Sequence, residues 1–96
     1  MNNKYKKKTF SESTRLDIVS KYAGRCVNCR KPATEIHHLI ANTKLNVRLY
    51  GQDKIQSAEN GVCVCKDCHN KHSIWDKNLK PIWKPNSKIG RTNENF

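Results

Sequence analysis

Apolar and polar residues follow two rhythms along this chain, and the change between them predicts its elements. Leu16, Val19 and Ala23 recur at helical spacing, and Ile18 and Tyr22 widen the stripe. A helix is therefore expected at about residues 11 to 23. Thr9 and Glu12 in "TFSE" form a candidate capping box at its start, and Gly24 stops it. "RCVNCRKP" follows as a tight knuckle. "ATEIHHLI" then reads as a short strand, with Ile36, Leu39 and Ile40 supplying apolar contacts. "ANTKLNVRLYGQDKIQSAEN" predicts a polar connection with some local helix, pinned to the core by Leu45, Val47, Leu49 and Tyr50. "GVCVC" is apolar and β-branched, a second strand. "KDCHNKHSIWDKN" predicts a short helix with Cys68, His69 and His72 on its first turns. The last stretch, "LKPIWKPNSKIGRTNENF", reads as an extended tail, because Pro81 and Pro85 block helix.

These elements divide the chain into a basic arm (1–10), one small α+β domain (11–76) and a basic extended tail (77–96). A domain within 96 residues has a modest core and benefits from a staple. Mean hydropathy is −0.89, so much of the chain must be solvated. No apolar run is long enough to span a bilayer. "MNNKYKKKTF" is basic but lacks the apolar segment of a secretory signal, so a cytoplasmic protein is expected. The 19 Lys and Arg against 8 Asp and Glu leave a net charge of +11, which favours a polyanionic partner, most simply nucleic acid. Lys4, Lys6, Lys7 and Lys8 in the arm, with Lys71, Lys77 and Lys80 further on, are candidate phosphate contacts. Such contacts add affinity but carry no sequence information.

Five cysteines without a secretion signal point to metal thiolates in a reduced compartment rather than to disulfides. Cys26 and Cys29 form one Cys-x-x-Cys pair, and Cys65 and Cys68 form another. Two such pairs suit a tetrahedral structural zinc ion, with sulfurs at about 2.3 Å. A thioredoxin-type redox pair lacks its βαβ context here. A competing zinc set would use His69 or His72, but four thiolates already saturate a structural site and leave the histidines free. Cys63 alternates with Val62 and Val64 and reads as a small buried hydrophobe.

The string "CVNC…EIHH…ENGVCVCKDCHNKH" resembles the HNH nuclease family, in the subgroup with a four-cysteine zinc site. The resemblance covers about residues 15 to 75. It implies the ββα-metal fold (also called the His-Me finger), two antiparallel strands and a helix clasping one divalent ion. It implies that His37 is a metal ligand and His38 the general base. Asn60 would hold the loop carrying that base, and His69 would be a second metal ligand on the helix. His72, one turn on, is left as a further ligand, a phosphate contact or a surface residue. The ion would be Mg, Mn, Ni or Zn, and two imidazoles lean towards the transition metals.

The chemistry is consistent with those residue types. Hydrolysis of a phosphodiester needs a proton acceptor for water and charge relief on the phosphate, and imidazole accepts protons at neutral pH. Blander readings accompany each residue. His37 and His38 are also compatible with structural roles, Asn60–Gly61 with a plain turn, and Glu35, a candidate partner behind a histidine, more simply with a solvated strand position. Trp75 and Trp83 suit core packing more than base stacking. The reading reached is a metal-dependent HNH endonuclease hydrolysing DNA, of bacterial or phage type. The alternative is a non-catalytic, zinc-stapled DNA-binding or phage assembly factor, working beside packaging or recombination proteins. An RNA-directed binder is a third.

Overall fold

Ser11 opens the first helix. Its extended backbone (φ −66°, ψ 163°) lets Oγ accept from the Thr14 N–H at 3.2 Å, so α1 runs Glu12–Tyr22. The expected box of Thr9 and Glu12 is therefore not the cap. The computed structural model describes residues 9–85. The helix ends as two successive residues turn left-handed, Ala23 (φ 54°) and Gly24 (φ 70°). Their N–H groups return to Ser20 O and Val19 O at 3.2 and 3.0 Å.

The buried stripe of α1 differs from the expected one. Ile18 is fully buried, whereas Leu16 is 62% exposed and Val19 40%. Ile18 and Tyr22, four residues apart, share the face that packs on the sheet. Leu16 lies about 200° around the helix from Ile18, which turns it to solvent.

Strands β1 (Glu35–His38) and β2 (Gly61–Val64) form an antiparallel two-stranded sheet. Glu35 pairs with Val64, Ile36 with Cys63, His37 with Val62 and His38 with Gly61. Alternate residues face opposite sides. On one side Val62 and Val64 pack with Leu39, Cys26 and Cys68. On the other, Cys63 packs with Phe10 and Ile18, and Ile36 lies against them. Gly61 lets the helix approach closely there. A Cβ at this position would lie 2.3 Å from Ile18 Cδ1 and 3.0 Å from Phe10.

The connection from β1 to β2 contains α2 (Lys44–Tyr50), α3 (Gln52–Ile55) and a 3-10 turn, Ala58–Asn60. Its anchor is Ile55, fully buried, while the expected pin Leu45 is 58% exposed. Val47, Leu49 and Tyr50 are half-buried.

The predicted helix after β2 is two. Lys71 (φ −120°, ψ 36°) leaves helical geometry, so α4 (Lys66–Asn70) ends before α5 (His72–Trp75). A 3-10 turn, Asp76–Asn78, follows. Trp75 braces the break by donating Nε1–H to Cys68 O at 3.0 Å. Residues 81–85 have no regular secondary structure, and the Trp83 ring lies 5.7 Å from that of Tyr50. No described helix is long and apolar enough to cross a membrane. The molecule is thus a small α+β protein. Lys4, Lys6, Lys7 and Lys8, and the tail from residue 86, lie outside the described residues.

Candidate metal centres

Cys26, Cys29, Cys65 and Cys68 bring four sulfurs within 4.8 Å of one another. The first knuckle is closed by Cys26 N–H to Lys31 O (2.7 Å) and Arg30 N–H to Cys26 O (3.0 Å). A left-handed Arg30 (φ 69°) completes it. The second pair straddles the start of α4, where Cys65 Sγ accepts from Cys68 N–H at 3.4 Å. Cys29 and Cys65 sulfurs are 3.6 Å apart. A tetrahedral ion with bonds of about 2.3 Å needs sulfurs about 3.8 Å apart, so the set fits zinc.

Electrostatics point the same way. Burial pushes the Cys26 thiol up, but N–H groups of Cys29, Cys65 and Asn28 outweigh it and hold it at about 6. Asn28 Nδ2 also donates to Cys68 Sγ at 3.3 Å. That bond favours the Cys68 thiolate, yet burial and the other three sulfurs push Cys68 up to about 11. The cluster takes a first negative charge readily and resists the last. A dication reverses that balance. Cys63 stands apart, buried on the other face, where burial raises its thiol.

A second group lies on the β1 side. The Asp76 carboxylate is almost fully buried. Its Oδ2 accepts from His37 Nε2 at 3.0 Å and from His72 Nδ1 at 2.9 Å. Burial would raise this carboxyl, but the two histidine hydrogen bonds hold it below the usual range. Burial lowers His37 in turn, against the pull of Asp76. Ligand atoms of His37, His72 and Asp76 all lie within 4.8 Å of one another, as an ion-binding set requires. His69 is nearby, its ring 5.0 Å from that of His37, but it does not join this set. Its Nδ1 lies 2.6 Å from Glu35 Oε1, so Glu35 is the hydrogen-bond partner of a histidine, the less simple of its two expected roles.

His38, the last residue of β1, turns to the opposite face. The Phe10 ring stacks on it at 3.9 Å with an 8° tilt, and its Nε2 lies 3.0 Å from Gln56 Oε1. Asn60 is fully buried. It accepts from Ile40 N–H at 2.8 Å and donates to Ile40 O and Ile55 O, each at 2.9 Å. It therefore clips the segment leaving β1, and it is not part of a plain turn. Both strand-end histidines reach one open cleft of about 340 Å³, with Phe10, Arg15, Asn42 and His69 around it. Lys71, Lys77 and Lys80 are all exposed.

Asp76, Gln56 and Phe10 were missed by the sequence reading. Asp76 did leave a signal, since it stands four residues after His72, one helical turn on. Gln56 and Phe10 left none, because only the folded chain brings them to His38. No protein-family model matches this chain, and no curated protein or solved structure does either.

Proposed function

We propose that the protein is a metal-dependent endonuclease of the HNH, ββα-metal type, hydrolysing DNA phosphodiester bonds. One observation carries the reading: His37 and His38 enter a single cleft from one strand end, and His37 belongs to a set of donors able to hold an ion. The set fits a divalent ion, because two imidazoles and one carboxylate are borderline donors. Such an ion supplies Lewis-acid charge for the scissile phosphate and the departing 3′ oxygen.

His38 is the proton acceptor in this reading. The Gln56 amide oxygen, 3.0 Å from Nε2, orients the imidazole. The imidazole takes the proton of the attacking water. Phe10 stacking keeps the ring from rotating, and the Asn60 clip fixes the chain just beyond it. The net charge of +11 supports a polyanionic substrate, with Lys71, Lys77 and Lys80 as exposed cations for its phosphates.

Incubation with supercoiled plasmid and Mg, Mn or Ni tests the reading. Nicking should require an ion, and His38→Ala should reduce it by roughly 10²- to 10⁴-fold, the usual worth of a general base, in a protein that stays folded with zinc bound. DNA binding without cleavage under every ion would instead favour a non-catalytic packaging or assembly factor.

A further inference from the structure

The resemblance assigns the divalent ion to His37 and His69, but the side chains converge differently. We propose that Asp76, His37 and His72 are the direct ligands of that ion, and that His69 stands outside its ligand set. The inference rests on the nuclease reading for the use of the ion, but not for its binding.

Three observations carry it. First, Asp76 Oδ2 is 3.0 Å from His37 Nε2 and 2.9 Å from His72 Nδ1. Ligands at right angles around an ion, at bond lengths of about 2.1 Å, are about 3.0 Å apart. The same three atoms that share hydrogen bonds can therefore share one ion, each neutral imidazole turning an unprotonated nitrogen to it and carrying its proton on the other ring nitrogen. Second, Asp76 is 2% exposed. A buried carboxylate needs compensation, and a dication supplies more than two neutral imidazoles do. Third, the ring nitrogens of His69 fall outside the convergent set.

The break at Lys71 explains how the ligands meet. It starts α5 in a new direction, and His72 and Asp76 then lie one turn apart with their polar atoms together. Two imidazoles and a carboxylate form a compact triad that leaves positions open for water or phosphate oxygen. The carboxylate makes the site harder than an all-histidine one. Co, Ni and Zn should bind best, with Mn tolerated.

The test uses the whole chain with its thiolate site already filled by one equivalent of zinc, titrated with Co(II) by calorimetry and by visible absorption. Wild type should bind one Co(II) without a thiolate-to-cobalt charge-transfer band. Asp76→Asn should weaken that binding by more than about 100-fold, beyond the 10- to 100-fold expected of a residue that only orients a ligand. His69→Ala should weaken it by less than about 10-fold. The His72 side chain is 46% exposed, so His72→Ala spares the fold and serves as the second variant, with the same large loss expected. Asp76→Cys should create the missing charge-transfer band. Retained zinc and an unchanged thermal transition qualify each variant. Three results would overturn the inference: no Co(II) binding by wild type, a loss below 100-fold in both Asp76→Asn and His72→Ala, or a larger loss in His69→Ala. Co(II) binding without plasmid cleavage would count against the nuclease reading alone.

Discussion

The two faces of the β1–β2 sheet are held by different physics. One face carries Glu35, His37, Val62 and Val64, and it meets the thiolate knuckles and α4. The other carries Ile36, His38, Gly61 and Cys63, and it meets Phe10 and Ile18. The first has an apolar cluster of Val62, Val64 and Leu39, with four sulfurs at its edge close enough to hold a metal and a buried carboxylate beside it. The second has an aromatic ring stacked on an imidazole and a helix pressed on a glycine, so packing holds it. Adjacent residues, His37 and His38, are thereby placed in opposite environments. A strand's two-residue period turns neighbouring histidines to different partners, Asp76 for His37 and Gln56 for His38, and the strand end lets both reach one cleft.

The largest effect should come from breaking the first face. Structural zinc supplies on the order of 10 kcal/mol to small domains that depend on it, comparable to the whole net stability of a typical domain. Cys65→Ser removes one of the four sulfurs placed to hold a metal, the one that also receives Cys68 N–H. The protein should lose zinc and cooperative unfolding together, in metal analysis and a melting curve. A native-like transition in that variant would mean that packing, not coordination, holds this face.

Next comes the point where the faces meet. Asn60 satisfies one N–H and two carbonyls of the surrounding backbone. Truncation to Ala leaves all three without their partner in a fully buried place. Each such loss costs about 1 kcal/mol or more, so Asn60→Ala should destabilise by about 3 kcal/mol in urea unfolding. A change under about 1 kcal/mol would mean that the clip is replaceable and that β1 is held by its ladder alone.

Much of this was legible in the sequence, and the residues show why. The Cys-x-x-Cys pairs are local, and a knuckle needs only its own turn, so the thiolate cluster could be read from spacing. The strands expected in 33–40 and 61–65 exist but are shorter, at Glu35–His38 and Gly61–Val64. The buried stripe of α1 was misread because Leu16, Val19 and Ala23 fit a helical period as well as Ile18 and Tyr22 do. Which stripe is buried is decided by β2, not by α1. The single helix expected after β2 overlooked Lys71, whose departure from helix has no Gly or Pro to announce it. Asp76 was lost with it, since its value as a donor depends on the turn that this break produces. Gln56 and Phe10 reach His38 across 18 and 28 residues of chain, a distance no local pattern encodes.

The smallest effect should fall on the packed face, and it separates packing from coordination most cleanly. Gly61 has an ordinary extended conformation (φ −123°, ψ 143°), so Ala meets no backbone strain there. What Ala does meet is Ile18 Cδ1 at 2.3 Å, the end of a side chain held within the helix–sheet contact. Either Ile18 changes rotamer or α1 moves outward, and overpacking of this kind costs about 1 to 3 kcal/mol. Phe10 would be displaced with it, because it borders the same Cβ and stacks on His38. Gly61→Ala should therefore lower stability modestly, keep zinc fully bound, and loosen the His38 ring, seen as exchange broadening of its imidazole resonances. The His37, His72 and Asp76 set lies across the sheet and should keep its Co(II) affinity. If that affinity fell as far as the stability, the faces would be one cooperative unit, and the division between them would be one of composition only.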